Sequence, residues 1–427
     1  MSEKTPNEQT KPKRPQPKSR IMTNEQTVKC YADAWEAKSL GKPIGWSSSL
    51  FPQEICAALD IPVLYPESNC ASLSARHYGD KLIERAEGSM GVPSGICSYA
   101  RMNLGYVDSF GDKNYPADPA MPLPDFLLIA SNSCTQLRKW FEMLSKRLNI
   151  PLFYIDCLYN YYEESPSAHK IQYLRSQIEN YISKMEKFSG KKLDPDAFLN
   201  AQKRANQNTK LFSEIMRLNA NKPAPLDGFD LFNYMSCLVF ARCKESSTEI
   251  LHQLKSEIEE HLANGTTTFR GEREEFRIHW EGIACWPNLS FTLRTLSKYN
   301  INANISGYVT AFSDVIYEPG DMDDMARVYQ TCSTNSYSAV SLMEKRVKTM
   351  KDYQCDGMLC HINRSCKQQV FNILAGRDIV VKELDLPIAF FDGDQSDARA
   401  FSEAQYETRI QSLKEIMQER KGASSNA

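Results

Sequence analysis

In the run Asp125-Phe-Leu-Leu-Ile-Ala130 the five residues after the aspartate are apolar at consecutive positions, not at alternate ones. A strand of that kind is buried on both faces, which is the pattern of a parallel sheet covered by helices. Pro151-Leu-Phe-Tyr-Ile-Asp156 repeats it. Shorter strands are predicted over Pro43–Trp46 and Ile61–Tyr65. Helices are predicted from Thr23, as N-cap, to Leu40 before Gly41, and from Pro52 to Leu59. Strands alternating with helices restrict this part of the chain to an α/β fold with a parallel sheet.

From residue 167 the alternation stops. Helical patterns fill about 167–189, 195–219, 229–243 and 246–264. Strand signals return at Arg277–Ala284, Cys355–His361 and Pro387–Phe391, with helices over about 322–332, 338–353, 366–376 and 402–421. The expected architecture is two Rossmann- or flavodoxin-like α/β lobes with parallel sheets, joined by a helical segment. A chain of 427 residues is too long for one core of ordinary size, which agrees. The expected bounds are a disordered tail over 1–22, an N-terminal lobe over 23–165, a helical connection and start of the second lobe over 166–265, and a C-terminal lobe over 266–427. The tail is rich in Lys, Pro and Gln, with Lys11-Pro-Lys-Arg-Pro15 at its centre.

Composition removes several function classes. Lysine plus arginine number 51 against 53 acidic residues, a net charge of −2, so no global attraction to nucleic acid or anionic membrane is expected. There is no bilayer-spanning apolar run and no apolar signal core at the N-terminus, so a cytoplasmic protein is expected. Its thirteen cysteines then read as reduced core residues or metal ligands, not disulfides. No P-loop and no glycine-rich dinucleotide fingerprint is present, which argues against ATP or NAD chemistry within this chain.

Ligands of open α/β sheets bind beyond the carboxyl ends of the strands. That rule selects Ser47 to Ser49, Glu67, Cys134 and Cys366. Cys97 joins them because it opens a helix, where amides and dipole favour a thiolate. Three thiolates from separate elements suit a soft metal centre assembled by the fold. A local zinc site from Cys355, Cys360, His361 and Cys366 is disfavoured, because adjacent strand residues point to opposite faces and no clean ligand pair exists. Blander readings stand beside these: all thirteen cysteines structural, Ser49 a helix cap, Glu67 a solvated turn carboxylate, His361 a core residue. Phe391-Asp-Gly-Asp-Gln-Ser-Asp397 resembles an acidic calcium loop but lacks the downstream glutamate.

Six segments carry a resemblance: Gly45-Trp-Ser-Ser-Ser-Leu-Phe-Pro-Gln-Glu54, Val63-Leu-Tyr-Pro-Glu67, Cys97-Ser-Tyr-Ala-Arg101, Phe269-Arg-Gly-Glu272, His361-Ile-Asn-Arg-Ser-Cys-Lys367 and Phe391-Asp-Gly-Asp394. In this order they resemble the α subunit of the 2-hydroxyacyl-CoA dehydratases, over about residues 25–421. The resemblance implies a [4Fe-4S] cluster on Cys97, Cys134 and Cys366, with one iron left open. It implies Ser49 and Glu67 as catalytic residues lining the substrate cavity. It also implies a homologous β subunit as heterodimer partner, a separate ATP-dependent iron–sulfur activator, an acyl-CoA substrate, and room for a flavin in the complex. The reaction implied is dehydration of an (R)-2-hydroxyacyl-CoA through a ketyl radical after one-electron activation in an anaerobic cytoplasm, with lactoyl-CoA going to acryloyl-CoA as the expected case. Two alternatives remain open: a benzoyl-CoA reductase-type subunit, and a non-catalytic cluster carrier.

Overall fold

The computed structural model describes residues 16–114, 121–160, 165–332 and 336–425. Its first part runs α1 (Lys18–Ser39), β1 (Gly45–Ser47), α2 (Gln53–Ala58), β2 (Val63–Leu64), α3 (Pro66–Ala75), α4 (Gly79–Met90), α5 (Ser98–Asp108), β3 (Phe126–Ala130), α6 (Thr135–Leu148) and β4 (Leu152–Ile155). The four strands form a parallel sheet in the order β2-β1-β3-β4. β3 is buried at every position, as its unbroken apolar run requires.

The helical middle comprises α7 (Ala168–Ser189), α8 (Pro195–Leu218), a 3-10 turn at Gly228–Tyr234, α9 (Ser236–Val239) and α10 (Glu245–Asn264). The last part runs β5 (Phe276–Glu281), α11 (Leu289–Lys298), β6 (Ile301–Ser306), α12 (Gly307–Thr310), α13 (Met322–Thr331), α14 (Ala339–Asp352), β7 (Gly357–Asn363), α15 (Lys367–Leu384), β8 (Ile388–Gly393) and α16 (Glu403–Ser425). Its strands form a second parallel sheet in the order β6-β5-β7-β8. Both sheets therefore reverse direction beside their first strand, at β1/β3 and at β5/β7. Open α/β sheets bind ligands at such switch points.

Three expectations are corrected. The first helix starts at Lys18, not after Thr23. Thr23 Oγ1 bonds back to Ser19 O (2.8 Å), so it sits inside the helix. Ser19 is buried and bonds Glu257 Oε1 through its amide (2.9 Å) and Tyr234 through its hydroxyl (2.8 Å). Residues 18–22 thus belong to the fold; residues 1–15 of the expected tail lie outside the described residues. The pattern over 229–243 forms a 3-10 turn and one α-turn instead of one helix. Asp227 caps it through Phe229 N, and Gly228 packs so tightly on β6 that a Cβ there would lie 1.7 Å from Ala303 O. β6 itself was not anticipated. Its Ile-Asn-Ala-Asn-Ile-Ser alternation reads as half-exposed, yet every position is buried. Asn302 donates to Glu274 Oε2 (2.7 Å) and Leu226 O (3.2 Å), and Asn304 to Tyr353 O (3.2 Å), so its amides are satisfied internally. Among the described residues no helix is long and apolar enough to cross a membrane.

Candidate active site

A cavity of about 160 Å³ lies where the carboxyl ends of the two sheets face each other. Ser49 reaches it from beyond β1, Glu67 from beyond β2, and Cys134 from beyond β3. Ile283, Tyr308, Cys366 and Gln395 reach it from beyond β5, β6, β7 and β8. Cys97 enters from the start of α5, so Ser49, Glu67, Cys97, Cys134 and Cys366 line this one cavity, while Ser47 and Ser48 do not.

Each of the three cysteines is the N-cap of its helix: Cys97 for α5, Cys134 for α6, Cys366 for α15. Burial is the largest influence on each thiol and raises its pKa, that of Cys366 to about 12. Neighbouring thiols add to the rise, Cys366 and Cys134 acting on Cys97, and Cys134 on Cys366. First-turn amides oppose it: Ala100 at Cys97, Leu137 and Gln136 at Cys134, and Gln369 at Cys366. The helix ends therefore pull toward thiolate while burial pushes toward thiol, and a bound cation would decide the balance.

The donor set fits an iron–sulfur cluster. These three thiols are partly exposed, and no fourth cysteine lines the cavity among the described residues. Among those residues no three His, Cys, Asp or Glu side chains stand close enough to hold a single metal ion. A cluster differs in taking its thiolates on separate irons. The alternative zinc set is not assembled. Cys360 is buried in β7, and His361 is turned to Ile283 O (2.6 Å) and stacked on Phe391.

A polar web fixes Cys97. Gln395 Nε2 donates to its sulfur (3.3 Å), and Gln395 Oε1 accepts from Asn363 Nδ2 (2.6 Å). Cys97 N donates to Gln136 Oε1 (2.8 Å), and Gln136 Nε2 to Ser365 O (3.2 Å). Arg101, on α5, pairs with Asp397 (2.9 Å) and Glu87 (2.6 Å). Burial alone would raise the Asp397 pKa, but Arg399 and Arg101 hold it down at about 2. The acidic loop, which lacks a calcium loop's glutamate, thus ties α5 to the end of β8. Asp394 turns inward, its Oδ1 accepting from Ser396 N (2.9 Å) and Asp397 N (3.1 Å).

Glu67 stands in the first turn of α3 behind Pro66, not in a solvated turn. It accepts a hydrogen bond from Ser49 N (2.7 Å). Burial raises its pKa, and the amide and hydroxyl of Ser49 offset part of the rise. Ser49 does not cap α2, whose N-cap is Pro52; its carbonyl accepts from Ser133 Oγ (3.2 Å). The turn after it forces Leu50 to φ 61°, a costly value for a leucine, and Leu50 too lines the cavity.

The rest of the lining was not found in the sequence. Leu137, Trp140, Ala311, Phe312 and Leu342 make it mainly apolar. Within it Glu281, Gly307 and Arg346 form one charged unit. Arg346 Nε donates to Glu281 Oε2 (2.7 Å), Nη2 to Gly307 O (3.1 Å) and Nη1 to Thr310 Oγ1 (3.2 Å). His279 Nε2 meets Glu281 Oε2 from behind (2.9 Å). Burial lowers the His279 pKa, and its Nε2 donates to the carboxylate oxygen. Burial is the largest single influence on Glu281 and would raise its pKa, but Arg346 and His279 together outweigh it and the pKa is lowered. Glu281 was hidden as the polar end of a strand. Tyr308 and Gly307 were hidden with β6.

The family model described as "2-hydroxyglutaryl-CoA dehydratase, D-component" matches residues 48–417. The chain is 41% identical to the (R)-2-hydroxyisocaproyl-CoA dehydratase alpha subunit of Clostridioides difficile, over 94% of this chain and 97% of that one. It is 39% identical to the (R)-phenyllactyl-CoA dehydratase alpha subunit of Clostridium sporogenes, over 95% and 97%. It is 34% identical to the lactoyl-CoA dehydratase subunit alpha of Anaerotignum propionicum, over 90% and 93%.

Proposed function

Because this chain belongs to the 2-hydroxyglutaryl-CoA dehydratase D-component family, we propose that it is the α subunit of a heterodimeric hydro-lyase that dehydrates an (R)-2-hydroxyacyl-CoA to the 2-enoyl-CoA. The observation that carries this reading is the shared cavity. Three helix-capping cysteines, a hydroxyl and a desolvated carboxyl meet there against an apolar wall. Cys97, Cys134 and Cys366 would hold a [4Fe-4S] cluster. When bound, such a group supplies an electron for the thioester and, at the iron without a cysteine, a Lewis-acidic site.

The β-hydrogen of a 2-hydroxyacyl thioester is not acidic, and the hydroxyl is a poor leaving group. One-electron reduction of the thioester to a ketyl radical anion cures both: the 2-hydroxyl departs, and the β-proton of the resulting enoxy radical becomes acidic. Returning the electron after deprotonation leaves the reaction redox-neutral. The protein's own residues handle the proton. Glu67, whose pKa burial raises, protonates the departing hydroxyl as a general acid and so releases water. Its carboxylate then takes the β-proton. Ser49, bonded through its amide to Glu67, donates its hydroxyl to the substrate oxygen beside it. The apolar wall excludes bulk water, which strengthens each of these contacts.

The starting electron comes from a separate ATP-dependent activator, in keeping with the absent P-loop. The complex works in the cytoplasm of an anaerobe. Lactoyl-CoA is the smallest acyl chain proposed. The 2-hydroxyisocaproyl and phenyllactyl chains are larger apolar ones, from the names of relatives with higher identity. The test is turnover by the anaerobically purified heterodimer with activator, ATP and reductant. Catalytic formation of 2-enoyl-CoA from any of the three substrates, with far less than one electron used per product, supports the reading. Product stoichiometric with electrons would assign a reductase, and no product from any of them a non-catalytic carrier.

A further inference from the structure

We propose that the buried Glu281–Arg346 pair is the charge-selection element of the acyl pocket, and that it restricts the enzyme to uncharged acyl chains. The inference rests on the functional reading above. Both side chains line the cavity, and both are nearly inaccessible, at 3% and 5% exposed. Arg346 is the one cation in the cavity wall among the described residues, and it faces Glu281 directly. His279 stands behind the pair and does not line the cavity. The wall unit therefore has zero net charge, with Arg346 bonded to the Glu281 carboxylate, Gly307 O and Thr310 Oγ1.

The local backbone is built around this neutral pair. A Cβ on Gly307 would lie 2.3 Å from Glu281 Oε2 and 2.8 Å from Arg346 Nε. Any larger residue at the start of α12 would have to displace the two charged ends. An uncharged acyl chain meets the apolar residues beside the unit at no electrostatic cost. A chain ending in a carboxylate would meet Glu281 as a like charge, and would lose its hydration without gaining an unpaired cation. Selection thus works by refusing the wrong charge as well as by fitting the right shape. Neutralising Glu281 while keeping its size turns Arg346 into a free cation aimed at the pocket.

The experiment uses the heterodimer carrying Glu281→Gln. It compares affinity for two unreactive thioesters, 4-methylpentanoyl-CoA and glutaryl-CoA, and turnover of the corresponding 2-hydroxyacyl-CoAs. The wild type is expected to bind and turn over the uncharged chain and to discriminate against the dicarboxylic one. Glu281→Gln is expected to move the ratio toward the dicarboxylic chain by about tenfold or more, the scale of one charge-assisted hydrogen bond. The double change Glu281→Gln/Arg346→Met is expected to restore the wild-type ratio. If Glu281→Gln does not fold, Arg346→Gln tests the same point, since the exposed carboxylate should then lower the glutaryl ratio further. A ratio unchanged in every soluble variant overturns the inference while leaving the dehydratase reading intact. A wild type that neither binds nor turns over any of the thioesters overturns the dehydratase reading itself.

Discussion

Replacing Arg242 with methionine should cost the protein about 3–5 kcal/mol, the usual penalty for removing one partner of a buried ion pair. Glu54 is 0% exposed and Arg242 1%. Arg242 Nη2 donates to Glu54 Oε1 (3.2 Å), Tyr317 OH to the same oxygen (2.9 Å) and Tyr329 OH to Oε2 (2.9 Å). Methionine fills most of the arginine stem, so little of the loss comes from a cavity. What remains is a carboxylate with two hydroxyl donors and no counter-charge. A domain has about 5–15 kcal/mol in all, so the loss is a large share of its stability. Urea unfolding followed by circular dichroism should show a lower midpoint with little change in slope. Glu54→Gln/Arg242→Met leaves no charge behind and should recover about 2 kcal/mol or more of the loss. The ion pair also matters to the site, because Glu54 sits on α2, directly after the turn that carries Ser49. A loss below about 1 kcal/mol in the single variant, or no recovery in the double, would refute the reasoning.

Gly105→Ala should destabilise by about 3 kcal/mol or more in the same assay, because its Cβ would lie 1.9 Å from Leu82 O where α5 crosses α4. In the cluster-loaded complex, Gln395→Leu removes the N–H donor to Cys97 and should lower the reduction potential, read by a spectroscopic redox titration; an unchanged potential would assign Gln395 a purely structural part. Glu67 has a raised pKa, so its acid form persists to higher pH than an ordinary glutamate and is lost as pH rises through that value. The wild-type rate should fall on that alkaline limb. Glu67→Gln should lower the rate by about 10²–10⁴-fold and abolish the limb.

How legible each part was follows from its burial chemistry. β3 could be read directly, because a strand buried on both faces must be apolar throughout, whereas β4, apolar as well, is an edge strand in which only Ile155 is fully buried. β6 could not, since its asparagines are buried by partners distant in sequence: Leu226, Glu274 and Tyr353. The helix start at Lys18 was masked by Thr23, a good cap that here bonds backward to Ser19 O. Cys97, Cys134 and Cys366 could be found because the ends of parallel strands and the starts of helices are where such folds bind ligands. Glu281 and Arg346 could not. Their pairing depends on β5 and α14 meeting, and a lone charged residue in a sequence gives no sign of its partner. Gln395 was concealed in an acidic loop whose carboxylates turned out to serve the protein's own backbone and arginines.

The most direct measurement is the iron and acid-labile sulfide content of the anaerobically purified heterodimer, for the wild type and for Cys97→Ala, Cys134→Ala and Cys366→Ala. Each replacement is expected to remove about one four-iron cluster's worth of both elements, leaving any cluster held by the partner subunit. A control, Cys360→Ala, is expected to keep the full content, because that thiol is buried in β7 away from the cavity. Iron and sulfide unchanged in all three variants would contradict the account, and would make these cysteines part of the scaffold alone.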